Sequence, residues 1–221
     1  MRALLVQPEL PPSFWSFDDL VDLHGKRTMG PPLGLLTVAA LLDPSWEQRL
    51  VDLNIRPLTE EDWSWADVVL VSAMLVQRDP MIRLVKEAKR RGKRVVVGGP
   101  YPTTMPDDAV SAGADWVVQG EAEGLMDEVC RAIAEGDAPR VFQAKGKPDV
   151  RTSPVPRYDL VRLEDYWVLA VQTSRGCPYD CEFCDVIQIY GRRPRYKSPE
   201  QAVRELDSLY RRGGRGDVFL C

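Results

Sequence analysis

Between Thr173 and Cys184 the sequence reads TSRGCPYDCEFC, which places Cys177, Cys181 and Cys184 within eight residues. A C-x3-C-x2-C spacing lets one short loop curl until three thiolates face a single small object. The object that takes three thiolates and keeps one corner free is a 4Fe-4S cluster, and its uncoordinated iron can then bind another molecule, as open positions do at catalytic metal sites. A structural zinc site completed by a distant Cys or His is the other reading of the same residues. Zinc knuckles usually show two paired half-sites, whereas Cys130 and Cys221 stand alone and His24, the only histidine, lies far upstream. A disulfide framework fits less well, because five cysteines is an odd number and a chain of 221 residues needs no staples.

A loop of this kind has to be delivered by rigid elements. Asp165 to Gln172 reads as a strand that presents the cysteine loop at its carboxyl end, where barrel active sites lie. Ser198-Pro199-Glu200 is an N-cap followed by proline at the first helical position, and the helix turns Ala202, Val203, Leu206 and Leu209 inward before ending at Gly213-Gly214. Asp217 to Cys221 begins a further strand, inside which the sequence stops.

Upstream, five short apolar runs alternate with helical segments. The strands are expected at Ala3–Gln7, Arg49–Leu53, Ala66–Ser72, Arg94–Val97 and Trp116–Val118, and the helices at Leu35–Leu42, Pro80–Arg91, a short one from Pro106, and Leu125–Ala134. Met81, Ile82, Leu84, Val85 and Ala88 give the second helix an amphipathic period, with basic residues at its end. This alternation is the signature of an α/β, doubly wound, Rossmann-like parallel sheet, whose ligands bind beyond the carboxyl ends of the strands. Three of those ends carry suggestive loops: Ser72-Ala73-Met74, Gly98-Gly99-Pro100-Tyr101-Pro102-Thr103 and Gly120-Glu121-Ala122-Glu123. The candidate binding residues are therefore Ser72, Met74, Gly98, Gly99, Pro100, Gly120 and Glu121. Their glycines either let backbone approach a bulky ligand or only shape the turns, and both remain open. The proline-rich and aromatic stretch holding Pro8, Pro11, Pro12, Phe14, Trp15 and Phe17 is either a lid over a bound molecule or a cover for the core edge.

Composition narrows the classes. A net charge of -4 argues against a general nucleic-acid binder, and the basic runs Arg90-Arg91 with Lys93-Arg94 and Arg192-Arg193 with Arg195 and Lys197 have the usual explanation of solvated surface. The apolar run at the start stops at Pro8 without a cleavage site, and the longest apolar stretch, Leu33 to Leu42, is about half of a bilayer span. A cytoplasmic protein without a transmembrane segment is expected, in a reducing compartment where free thiolates survive.

Cys177, Cys181, Phe183 and Cys184 match C-x3-C-x-aromatic-C, and here the chain resembles the radical S-adenosylmethionine enzymes. The resemblance implies that the open iron chelates S-adenosylmethionine, that the cluster passes an electron to the sulfonium with release of a 5'-deoxyadenosyl radical, and that Phe183 lies near the adenine. Residues 1–135, with Pro31-Pro32-Leu33-Gly34, Asp67 to Ser72, Gly98-Gly99-Pro100 and Gly120-Glu121-Ala122-Glu123 in order, are similar to the cobalamin-binding domain that precedes the barrel in one large class of these enzymes. One departure is informative. The D-x-H-x-x-G element of cobalamin mutases is absent after the first strand, where Gln7-Pro8-Glu9-Leu10 stands, so cobalt would lack a protein imidazole and His24 reads as a surface loop residue.

The expected organisation is a cobalamin-binding-like domain at 1–135, a proline-rich linker at 136–165, and at 166–221 the first β/α/β of a partial TIM-like radical S-adenosylmethionine barrel, which makes the chain read as a fragment or truncated product. The expected function of the complete enzyme is methyl transfer to an unactivated carbon, on a small-molecule or lipid substrate, with an electron donor such as flavodoxin or ferredoxin. Ring formation or oxidation by the same architecture, and a non-catalytic cobalamin- or metal-binding module, are the competing readings.

Overall fold

The computed structural model describes residues 1–13, 16–136 and 140–221, so Phe14 and Trp15 of the aromatic stretch and Pro139 of the linker lie outside the described residues. Six strands form one parallel sheet: β1 (Arg2–Gln7), β2 (Glu47–Asp52), β3 (Val68–Ser72), β4 (Arg94–Gly98), β5 (Trp116–Gln119) and β6 (Val141–Gln143), in the spatial order β2-β1-β3-β4-β5-β6. The chain winds outward from β1 in both directions, so the topological switch lies between β1 and β3.

Alternation along β1 explains the two-sided wrapping. Leu4 and Val6 face one core, shared with Trp63 of α3 (Glu60–Trp65), Met81, Leu84, Val85 and Ala88 of α4 (Arg78–Arg90), and Ala109 and Ala112 of α6 (Pro106–Ala112). Ala3 and Leu5 face the other, shared with Leu35 and Ala39 of α2 (Leu33–Leu41) and Met126, Val129, Cys130 and Ile133 of α7 (Met126–Glu135). Helix α2 is apolar all round because it is covered on two sides: its Leu36 turns away from the sheet into a third core with Tyr158, Leu163, Tyr166, Leu169, Val171 and Leu209. Two short helices complete this half, α1 (Asp18–Leu23) and α5 (Pro100–Thr104). Helix α3 starts with a capping box, in which Thr59 Oγ1 accepts from the Asp62 backbone N–H while the Asp62 carboxylate accepts from that of Thr59.

The proline-rich stretch after α7 is less featureless than its sequence suggests. It contributes β6, paired in register with β5 (Val117↔Val141, Gln119↔Gln143), and then three short 3-10 turns. Tyr158 and Tyr166 are fully buried; the Tyr158 hydroxyl donates to the Ala170 carbonyl at 2.9 Å and the Tyr166 hydroxyl to Asp52 Oδ2 at 3.3 Å. Burial pushes the Asp52 carboxyl above its ordinary range, opposed by hydrogen bonds from Asn54 and Tyr166.

Beyond it, β7 (Val168–Val171) pairs in parallel with β10 (Asp217–Leu220), with α9 (Pro199–Arg211) between them, the expected β/α/β. The stretch from Ser174 to Tyr196 is a closed excursion. Its stem is an antiparallel pair, β8 (Ser174–Arg175) with β9 (Arg195–Tyr196), and it carries α8 (Val186–Tyr190). Among the described residues no helix is long and apolar enough to cross a membrane.

Candidate functional site

The carboxyl edge of the sheet is fixed by backbone and side-chain bonds between successive strand ends. The Ala73 N–H donates to the Gly98 carbonyl at 3.2 Å, and the Tyr101 N–H to the Ala73 carbonyl at 2.9 Å. Thr103 Oγ1 donates to the Gly99 carbonyl at 2.8 Å and accepts from the Gly120 N–H at 3.0 Å, joining the β4 and β5 loops. Buried Gln77 donates to the Pro8 carbonyl at 2.7 Å and so reaches the end of β1. Gly99 has φ +99°, and a Cβ there would lie 2.5 Å from Ser72 Oγ; Gly120 has φ +101°, and its Cβ would lie 2.8 Å from that of Ala144. Both glycines are thus required by the chain's own turns, which settles their shape without reference to a ligand.

Over this edge lies a cavity of about 470 Å³. Ser72, Met74, Gly98, Gly99, Pro100, Gly120 and Glu121, expected from sequence to share a site, all line it. Leu33, Leu35 and Val38 of α2 with Leu70, Val96 and Val118 make much of the remaining wall apolar. The opposite side comes from the other half of the chain: Gln172, Arg175, Ile189, Tyr190 and Cys221. Concave, mostly apolar walls with a few convergent polar groups suit a large organic ligand. His24 does not line the cavity; it is exposed at the end of α1 and stacks on Trp167 at 4.9 Å between ring centroids.

Polar groups converge where the two halves meet. Arg175 Nη1 donates to Glu121 Oε2 at 2.8 Å and to Glu123 Oε2 at 2.9 Å, and its Nε donates to Gln172 Oε1 at 2.7 Å. Arg195 grips the same Glu121 carboxylate through Nη1 at 3.0 Å and Nη2 at 2.7 Å, and donates to the carbonyls of Pro148 and Tyr190. The side chains of Glu121, Glu123 and Arg175 are 3%, 2% and 9% exposed, so these are buried charges whose separation would leave an uncompensated ion in a poor solvent. Burial pushes the Glu123 carboxyl up, but the Arg175 guanidinium more than offsets this and holds it below the ordinary glutamate range. Burial alone would lower the Arg175 pKa, and the two carboxylates reverse that, raising it.

Arg195 and Lys197 correct the surface reading of their basic run. Arg195 is 18% exposed and bound to Glu121, and Lys197, 4% exposed, is paired with buried Glu205. Only the upstream part of the run fits a solvated face, with Arg192 bound to Asp180 at 2.8 Å and 56% exposed. Gln77 escaped the sequence reading; Thr103 stood only as the last residue of the loop after β4, and neither Arg175 nor Arg195 was read as a site residue. Arg175, two residues before the first cysteine, carried a signal of position; Gln77 and Arg195 have partners 69 and 74 positions away, too distant to suggest.

The cysteine loop hangs from the β8–β9 stem. All five cysteines are free thiols; Cys130 is buried, its thiol pushed up by that burial, while Cys181 and Cys221 are exposed and Cys177 and Cys184 half-buried. The Cys177 N–H donates to the Gly191 carbonyl at 3.1 Å and that of Cys184 to the Cys181 carbonyl at 3.1 Å, so the backbone is turned. Among the described residues, no group of three or more His, Cys, Asp or Glu side chains stands close enough to hold a metal ion: one loop carries the three thiols without drawing them together. Phe183 is 93% exposed and is not among the residues that line the cavity. The donor set, three soft sulfurs on one short loop with closed ends, fits a thiolate-bound iron–sulfur cluster in its chemistry.

Residues 27–130 match the family model described as B12 binding domain. The chain is 50% identical over its full length to an uncharacterized methyltransferase of Synechocystis sp. and 37% identical over 99% of its length to the hopanoid C-2 methylase of Rhodopseudomonas palustris. It spans 41% and 42% of those two relatives. Its fold is shared, at 20% identity, with the radical S-adenosylmethionine methyltransferase TsrM of Kitasatospora setae: the TM-score is 0.70 over 99% of this chain and 47% of the other. A second structure of TsrM, with cobalamin and a [4Fe-4S] cluster bound, superposes with a TM-score of 0.67 at 21% identity.

Proposed function

We propose, on the premise that this chain belongs to the radical S-adenosylmethionine proteins that carry an N-terminal B12 binding domain, that it holds cobalamin in the strand-end cavity and a 4Fe-4S cluster with S-adenosylmethionine at its cysteine loop. In the whole protein these cofactors serve methyl transfer to an unactivated carbon of a small-molecule or lipid substrate, with reducing electrons from a flavodoxin- or ferredoxin-like donor. Bound cobalamin supplies a methyl carrier, and the cluster supplies a low-potential electron to S-adenosylmethionine.

The observation that carries this reading is convergence. Seven residues from three separate strand-end loops line one cavity, and its opposite wall belongs to the elements that flank Cys177, Cys181 and Cys184. This supports a reading in which two cofactor sites that exchange a group are neighbours. Within that arrangement Met74 and the apolar wall of α2 would face the corrin and keep water from its surface, while Cys177, Cys181 and Cys184 would each bind a different iron. With no histidine lining the cavity, cobalt would lack a protein imidazole, which favours shuttling a methyl group. We assign residues 1–135 to cobalamin, 166–221 to the cluster, and the segment between them to a connector that also completes the sheet.

Anaerobic reconstitution with iron and sulfide, followed by metal analysis and titration with hydroxocobalamin, tests the reading. Roughly four irons per chain together with a bound-corrin spectrum is the expected result. One equivalent of zinc without iron uptake would overturn the cluster assignment, and indifference to hydroxocobalamin would overturn the cavity assignment.

A further inference from the structure

We infer that the buried cluster of Glu121, Glu123, Arg175 and Arg195 couples the two cofactor sites, so that filling the cavity and loading the cysteine loop favour each other. The inference rests on the cofactor reading above and goes beyond it, since neither cofactor alone requires that its site sense the other.

The wiring is direct. Arg175 and Arg195 face each other across the β8–β9 stem as a registered pair, and each strand of the stem thus sends one guanidinium to the same Glu121 carboxylate. Glu121 and Arg175 also line the cavity, as do Ile189 and Tyr190 of α8, so an occupant presses on the same side chains that clamp the stem. Between clamp and first ligand there is little slack. Gly176 has φ +91°, its Cβ would fall 2.6 Å from the Arg193 carbonyl oxygen, and the next residue, Cys177, is tied to Gly191. The position of the stem therefore sets the position of Cys177. On the other side, Glu121 follows Gly120, whose N–H is held by Thr103, so the cluster is anchored in the rigid sheet edge.

A ligand shifts an equilibrium only by its differential affinity for two states. Here the states are the stem held at Glu121, as this structure has it, and the stem released from it. Closure of the loop on a cluster favours the clamped stem because Cys177 must be held in place, and a cavity occupant favours it because the clamped stem forms its wall. Both ligands thus prefer one state, and the coupling must be reciprocal. Glu121, Glu123, Arg175 and Arg195 act as positioning residues.

Hydroxocobalamin affinity, measured anaerobically on this chain before and after iron–sulfide reconstitution, reads the coupling as a ratio of two Kd values. We expect reconstitution to tighten hydroxocobalamin binding about five-fold or more, and hydroxocobalamin to slow iron loss to a chelator by a comparable factor. Arg195→Gln, which removes one guanidinium from Glu121 at a position outside the cavity lining, should bring the ratio to within about two-fold of unity while hydroxocobalamin still binds; Arg195→Lys, which keeps the charge and loses the fork, should give an intermediate ratio. If Arg195→Gln fails to fold, as judged by amide exchange in β1, β3 and β4, Arg195→Lys carries the test with its intermediate ratio. A ratio near one in the unsubstituted chain, or an unchanged ratio in the variants, overturns the coupling while leaving the cofactor reading intact. Failure of the unsubstituted chain to bind hydroxocobalamin brings down the cavity reading and the coupling with it.

Discussion

The sheet edge and the cysteine loop, the two cofactor sites proposed above, are built in opposite ways. At the edge, four strand ends are cross-braced by Gln77, Thr103 and backbone bonds, and glycines occupy the turns that no side chain could enter. The loop is fastened at its stem, its thiols stand apart, and Cys181 and Phe183 are exposed. One region has its geometry fixed by the chain's own bonds; the other would take its final geometry from the cluster proposed for it. Cross-braced positions should therefore fail through folding, and loop positions through loading.

The largest expected effect is on the loop. Cys181→Ala should reduce reconstituted iron from roughly four per chain to a trace, because two thiolates cannot retain the cube, while hydroxocobalamin affinity falls no further than the unloaded value; metal analysis with a corrin titration checks both. Gly99→Ala should do the reverse. The added Cβ meets Ser72 Oγ in a backbone region open almost solely to glycine, a cost of about 3 kcal/mol. Denaturant melts of the variant should show that loss, with corrin binding lost in parallel. If Gly99→Ala melted like the unsubstituted chain, the contrast between the regions would collapse.

A smaller effect sharpens the comparison through pH. Hydrogen bonds from Arg56 hold Asp62, with those from Thr59 adding to the effect, down to about 2 against an ordinary value of 3.8, despite burial. A carboxyl depressed in the fold stabilises it above its unfolded pKa and loses that contribution as pH falls through the folded value. Asp62→Asn should thus cost on the order of 1–2 kcal/mol near neutrality, and the difference should shrink between about pH 4 and pH 2. Urea melts across that range read it. The smallest effects belong to residues outside both regions: Cys130→Ala and His24→Ala should leave iron content and the corrin spectrum unchanged. Loss of iron in Cys130→Ala comparable to Cys181→Ala would remove the three-cysteine assignment.

Legibility in the sequence divides along the same line. Four of the five strands were readable as runs of buried, mostly β-branched or aliphatic residues between turn signals, and β2 as the short apolar pair Leu50-Val51; the strand-end loops followed from the parallel wiring. Strand β6 was not, since Val141-Phe142-Gln143 contains one buried side chain and is specified by its pairing with β5. Helix α3 was hidden by its shortness, although Thr59 and Asp62 spell its start. The loop cysteines were legible by spacing alone, but what orients their loop was not. Arg195 is separated from Glu121 by 74 positions, and a basic run gives no local hint that one of its members is buried.

That separation also sets an order of events during synthesis. Glu121, Gly99 and Ser72 leave the ribosome together with the sheet they belong to, while Arg195 is still untranslated. At the usual elongation rates of about 5–20 residues per second, those 74 positions amount to roughly 4–15 s in which the floor of the cavity exists and its opposite wall does not. During that interval the Glu121 carboxylate is hydrated and the edge stands open to bulk solvent, with a mouth far wider than the finished molecule offers.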